Sequence, residues 1–476
     1  MALNNKNTAT TDVIATATKG DKWVTDYAWI SGLAGALTVV ALAAWYNAGH
    51  ILGKGVSVAG WQITHTRLDS ILFALGVITF VMLTIELVRI YLWDDRFKFT
   101  VAPKVKQGHY FSFLIESVIN YLFYLSLLSL VLWFYHSAGE YGYIRNNAYY
   151  QSWFRFLDIV WNGYLWVGLP YVLITRAIKH SAEADARDYG YYFQRVVAYP
   201  FSFINLGDKQ KQNTPHFSDI DKKITRGLLV KLFFTPLMTV FFVDQFPHLV
   251  GNIGYIFDGL PKALSSGSFT HRSLNNDFFN ISISFIFSID VALAWVGYVI
   301  SSRWVDNQTS SAEPTMLGWV VCLACYPPFQ FVLGLYYGAP GERDSINLYD
   351  NQTLVTIFMT MMLASYFVYM SATLWFGTRF SNLTNRGIIR RGPFAYIRHP
   401  AYASKNFAWW CIMFPAVIYN ATHSGVELAI IQIIGLVLLS YVYYCRAITE
   451  ERHLSADPCY REYCEQVKYR FIPKVF

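Results

Sequence analysis

Long apolar runs alternate with short polar links along almost the whole chain. A helix rises about 1.5 Å per residue, so a run of about twenty residues crosses the hydrocarbon core of a bilayer. The runs predict ten spans. They fall at about Val24–Tyr46, Asp69–Trp93, Phe111–Phe134, Phe156–Ile174, Leu228–Phe246, Phe278–Ile300, Met316–Tyr337 and Leu354–Phe376. A closing hairpin, Asn406–Tyr419 and Leu428–Tyr444, completes the set, its first arm short. The expected fold is therefore all-α and polytopic. Loosely divided, it has a polar tail (1–22), an N-terminal membrane region (23–350) and a C-terminal membrane domain (351–476).

Lysine and arginine in the links predict the orientation, because cytosolic links are the richer in both. Arg96, Lys98, Lys104 and Lys106 follow the second span. Arg176, Lys179, Arg187, Arg195, Lys209, Lys211, Lys222, Lys223 and Arg226 follow the fourth. Arg379, Arg386, Arg390, Arg391 and Arg398 follow the eighth. These links share one face, and both termini are expected on the cytosolic side. The long link near 180–225 has alternating small and charged residues (Glu183, Asp185, Arg187, Asp188) that predict a surface helix.

Composition agrees with this picture. Only 14% of the 476 residues are charged, against about 25% in a typical soluble protein. The net charge of +7 comes from residues beside spans, so nucleic acid is not an expected partner. The first twenty-odd residues lack the apolar core of a secretory leader. Cys322 and Cys325 have CxxC spacing but lie in an apolar segment without a second ligand pair. They read as packing cysteines, and no metal site is expected.

Ionisable residues inside spans are costly and often functional. Glu86 and Arg89 are three apart on one helix and can neutralise each other. Glu116 and Asp158 lie in the third and fourth spans, and Asp290 near the middle of the sixth. Asp290 has no partner close in sequence, which makes it a candidate for substrate binding or for a structural acid. Pro327-Pro328 must break the seventh span. Asn276, Asp277 and Asn280 open the sixth with polar groups that either line a cavity or serve packing.

The densest chemistry lies at Arg391-Gly392-Pro393-Phe394-Ala395-Tyr396-Ile397-Arg398-His399-Pro400-Ala401-Tyr402, too polar and proline-rich to span a membrane. The apolar hairpin returns a second cluster, Arg446 to His453, to the same face. Arg446 and Glu450 are four apart and share a helical face. An arginine fork can orient an anion, a carboxylate can hold a cation or hydroxyl, and Phe394, Tyr396 and Tyr402 offer flat faces. A plain aromatic and basic interface belt would not require this order of residues.

The order Gly392-Pro393-Phe394, Arg398-His399-Pro400-Ala401-Tyr402, hairpin, Glu450-Glu451 resembles the isoprenylcysteine carboxyl methyltransferase and phospholipid methyltransferase superfamily. Tyr460, Tyr463, Val467 and Arg470-Phe471-Ile472-Pro473 are similar to that family's ending. The resemblance covers about the last hundred residues. It implies S-adenosylmethionine held at the cytosolic membrane face by Arg386, Gly387, Ile388, Ile389, Phe394, His399, Pro400, Ala401, Tyr402 and Glu450. It also implies that Arg446 faces the methyl acceptor, a lipid or lipidated molecule. This chain departs from the family at Ser404, where a glycine is usual, after Glu451, where a Phe-Gly pair is missing, and at Asp457-Pro458.

An ionised carboxylate acceptor needs no general base, only alignment and exclusion of water. An amine acceptor must lose a proton, for which Glu451 or His399 is the nearest group. The segment Tyr463 to Arg470 also resembles the ending of membrane sterol reductases, which bind NADPH. In that alternative Arg386, Arg390 and Arg391 would meet the extra phosphate. A transporter is the third reading, although no internal repeat of the kind transporters carry is present.

Overall fold

The computed structural model describes residues 25–93, 99–137, 151–180, 219–327, 329 and 351–475. The polar tail, Arg96, Lys98, the expected surface helix at 183–188, Arg195, Lys209, Lys211 and Pro328 lie outside them. The principal helices are α1 (Trp29–Ala48), α2 (Arg67–Trp93), α3 (Tyr110–Ser137), α4 (Gln151–Ala177), α5 (Asp219–Gly254) and α6 (His271–Val299). They continue with α7 (Met316–Leu323), α8 (Gln352–Phe376), α9 (Pro400–His423), α10 (Val426–Leu454) and α11 (Pro458–Gln466). Three two-residue or three-residue antiparallel ladders complete the described fold: β1–β2 (Ser57–Val58, Trp61–Gln62), β3–β4 (Phe99–Val101, Ile178–His180) and β5–β6 (Ser311–Ala312, Thr384–Asn385).

Eight helices among the described residues are long and apolar enough to span a membrane, against ten expected. The two that differ are the seventh and ninth. In the seventh, the helix stops at Leu323, ahead of Pro327, and most of the remaining segment lies outside the described residues. The ninth, α9, is not short: it has 24 residues, beginning at Pro400 rather than Asn406. Lys405, Asn406, Asn420 and His423 make it too polar to qualify by composition.

The chain divides into two compact units, one of Met1–Glu86 with Asp244–Phe476 and the other of Leu87–Val243. In the second unit α3 packs on α4, with the Tyr121 and Tyr164 rings stacked at 5.5 Å. Glu116, predicted inside a span, is neutralised there by Lys104 at 2.5 Å and Arg176 at 2.9 Å. Glu86 and Arg89 are both buried on α2.

The first unit holds the C-terminal polar clusters, and its helices pack in a chain of neighbours. α1 and α8 pack on α6, α9 on α8, and α10 on both α9 and α7. The polar residues that open α6 serve packing: Asp277 accepts from the Tyr255 hydroxyl at 2.6 Å, and the Asn280 carbonyl from Asn252 at 3.1 Å. Three cross-ties set the α9–α10 hairpin. Tyr402 donates to Glu450 at one end, Trp410 Nε1 donates to Ser440 at 3.0 Å, and Asn420 donates to Gln432 at 3.1 Å near the turn. In an apolar surround such bonds, more than hydrophobic burial, specify how two helices meet.

Candidate active site

Proline at the first helical position needs no N–H partner and is pre-shaped for a helix, so Pro400 starts α9 directly after His399. Ahead of it, Gly392 adopts φ +63°. A side chain there would lie 2.1 Å from the Trp375 ring, so the motif's turn requires glycine. Phe394, Ile388 and Ile389 are buried with Tyr460, Tyr463 and Val467, and Ala401 packs on the same cluster. Burial pushes the Tyr463 phenol above its ordinary range, so it remains a donor, to the Phe394 carbonyl at 2.7 Å.

The two adjacent glutamates point to different jobs, because consecutive helical residues are turned by about 100°. Glu451 Oε1 meets Arg398 Nε at 3.0 Å and His399 Nε2 at 3.1 Å, while its Oε2 meets Arg470 Nε at 3.0 Å. The backbone repeats the tie: Arg398 N donates to Tyr469 O and His399 N to Arg470 O. Glu451 therefore clamps the motif to the segment beyond α11. Glu450 instead accepts from the Tyr402 hydroxyl and lines a small recess. The recess has room for about one water, about 20 Å³, and its walls include Tyr402, Arg446, Thr449, Leu454, Cys322 and Glu313.

Arg446 lies one turn deeper along α10 and is buried. Its guanidinium sits over Tyr402 at 4.7 Å, Tyr326 at 5.5 Å and Tyr443 at 5.9 Å. One Nη2 contact fixes it from below, a 2.6 Å bond to Asn382 Oδ1. Asn382 is itself oriented by the Tyr298 hydroxyl at 2.5 Å and the Tyr326 hydroxyl at 2.9 Å. The loop carrying Asn382 is held by the β5–β6 ladder and by Glu313 N donating to Leu383 O.

Sequence reasoning picked out His399, Tyr402, Arg446, Glu450 and Glu451, which the fold brings together. It missed Asn382, Tyr326 and Tyr443. Tyr443 could have been found, since it precedes Arg446 by three positions on one helical face. Nothing local marks Asn382 or Tyr326. Arg386 and Gly387 sit elsewhere: Arg386 is buried and donates to the Gly297 and Ile300 carbonyls. Arg390 and Arg391 pair with Asp26 at 3.1 and 3.4 Å. Asp290 accepts from Thr373 at 2.5 Å in the middle of α6. Cys322 and Cys325 are buried free cysteines, and Cys325 donates to Val321 O at 3.4 Å.

Helices of spanning length surrounding a buried arginine and paired carboxylates define a polytopic helical membrane protein with a polar site at one end of its C-terminal bundle. Residues 353–456, from the start of α8 to just beyond α10, match the isoprenylcysteine carboxyl methyltransferase family. The matched stretch contains both clusters of the site. No curated protein matches the chain, and no solved structure matches it.

Proposed function

We propose that this protein is an integral membrane methyltransferase that uses S-adenosylmethionine and acts on a lipid or lipidated acceptor at the cytosolic membrane face. The observation carrying this reading is the junction of α9 and α10, where Tyr402, Glu450 and Arg446 converge inside the family-matched segment.

The donor set suits the cofactor's chemistry, and the recess, with room for about one water, would have to open to admit it. Around that recess the set offers the carboxylate of Glu450 for an amino group, the Tyr402 ring and Leu454 for an apolar or aromatic moiety, and the Thr449 hydroxyl. The cofactor would supply an electrophilic methyl group. His399, Pro400, Ala401 and Tyr402 would hold it from α9 and Glu450 from α10, with Ile388, Ile389 and Phe394 forming the apolar wall behind them. Arg386 and Gly387 would act by fixing the loop that leads to this wall.

Arg446 would orient the acceptor, its guanidinium already held by Asn382 and three tyrosine faces. A group so fixed gives up little freedom when a substrate binds. An acidic acceptor would need no base, which suits a site whose nearest candidate base is occupied. Both oxygens of Glu451 are taken by Arg398, His399 and Arg470. Asp290, buried on α6 and held by Thr373, would contribute to acceptor binding. The reductase alternative is disfavoured, because Arg386, Arg390 and Arg391 are all engaged within the protein.

Calorimetric titration of the purified protein with S-adenosylhomocysteine and, separately, NADPH tests the reading. Micromolar binding of the first, lost in Glu450→Gln, is expected. Binding of NADPH alone would replace the proposal with a reductase.

A further inference from the structure

Lys405 lies on α9 one turn deeper than Tyr402, as Arg446 lies on α10 one turn deeper than Glu450. Because Tyr402 and Glu450 are bonded, the two cations reach comparable depth from opposite arms of the hairpin. They share an aromatic ring: the Lys405 ammonium is 5.8 Å and the Arg446 guanidinium 5.5 Å from the centre of Tyr326. Lys405 also lies 5.4 Å from the Tyr369 ring. Ring faces soften the cost of placing two like charges together but neutralise neither. Two carboxylates lie nearby, and neither forms an ion pair with either cation. Glu450 is engaged by Tyr402, and Asp290, held by Thr373, acts on Lys405 through space. Among the described residues, Lys405 makes ring contacts and donates to no acceptor. A plain packing position on an apolar helix would not take a lysine, whose charge is costly there.

We infer that Lys405 and Arg446 together bind the acceptor's head, and that this head carries two negative charges on an apolar tail, as a phosphate monoester or a pair of carboxylates does. A guanidinium fork orients one oxygen pair, and the more mobile ammonium supplies a point charge to the other. The inference rests on the methyltransferase reading only in naming the bound lipid an acceptor.

The test uses the full chain in phosphatidylcholine nanodiscs, with dodecyl phosphate, dodecanoate and inorganic phosphate as probes. Dodecyl phosphate should bind about tenfold or more tightly than dodecanoate, the worth of one added charge-assisted contact. Lys405→Gln should abolish that preference, and Lys405→Arg should keep it. Equal affinity for the two amphiphiles, or a preference that survives Lys405→Gln, overturns the inference. Inorganic phosphate binding as tightly as dodecyl phosphate would make this a free-anion site and overturn the lipid assignment. S-adenosylhomocysteine binding is measured separately. If it is absent while the phosphate preference persists, the methyltransferase reading falls and the paired-cation site stands.

Discussion

Replacing Glu451 by glutamine tests the clamp that joins the motif to the segment beyond α11. The change keeps the side chain's shape and one acceptor oxygen but removes the charge facing Arg398, His399 and Arg470. The Arg398 and Glu451 side chains are each 11% exposed, whereas Arg470 is 32% exposed. Breaking a buried pair by removing one partner costs about 3–5 kcal/mol. Arg470 can recover water and glutamine still accepts a bond, so about 2 kcal/mol is a reasonable share for local opening. That corresponds to about thirtyfold more of the opened segment at equilibrium. Trypsin cuts after lysine and arginine, and Lys468 lies in this segment. Where opening and reclosing outpace cleavage, the cutting rate follows the open population. Cleavage at Lys468 in the full-length variant should therefore accelerate by about thirtyfold. A rise below about threefold would refute the clamp, since it corresponds to less than about 0.7 kcal/mol. Equal acceleration at Lys262, distant in sequence, would indicate general unfolding and refute the local account.

Asn382→Ala removes the acceptor that holds Arg446 at 2.6 Å. It should weaken dodecyl phosphate binding about tenfold, the value of a hydrogen bond to a charged group, while S-adenosylhomocysteine affinity stays within about twofold. Gly392→Ala forces a side chain into φ +63° and to within 2.1 Å of the Trp375 ring. Left-handed strain of about 1–2 kcal/mol and overpacking of about 1–3 kcal/mol predict a marked drop in thermal unfolding temperature. Gly425→Ala, where φ is +117° but space is open, should show the strain without the overpacking.

Most of the helical architecture was legible because a bilayer imposes a length and a polarity that sequence displays directly. The legible part of the site was the part written in consecutive residues: Arg398 to Tyr402, and Arg446 to Glu451. What lay beyond reach depended on the path of the chain. Asn382 meets Arg446 only because a two-residue ladder with Ser311 and Ala312 steadies its loop. The adjacent glutamates looked alike in sequence, yet helical rotation gives Glu450 to the recess and Glu451 to three basic residues. The arginines near 390 were offered to a phosphate only under the reductase alternative, and Asp26, remote in sequence, already pairs with two of them. α9 was underestimated because its first turns carry the motif, and a polarity count cannot distinguish a site built into a helix from the end of one.

The three ties along the α9–α10 hairpin make it behave as a ruler. Slipping either arm by one turn, about 5.4 Å, would break the Tyr402, Trp410 and Asn420 bonds together. The separation between Tyr402 and Arg446 is thus independent of the lipid around it. A bilayer thicker or thinner than the hairpin must adapt by tilting the pair as a body or by deforming itself. Head-group recognition should consequently be indifferent to acyl-chain length in the host membrane, while the height at which an acceptor meets the site should shift with it.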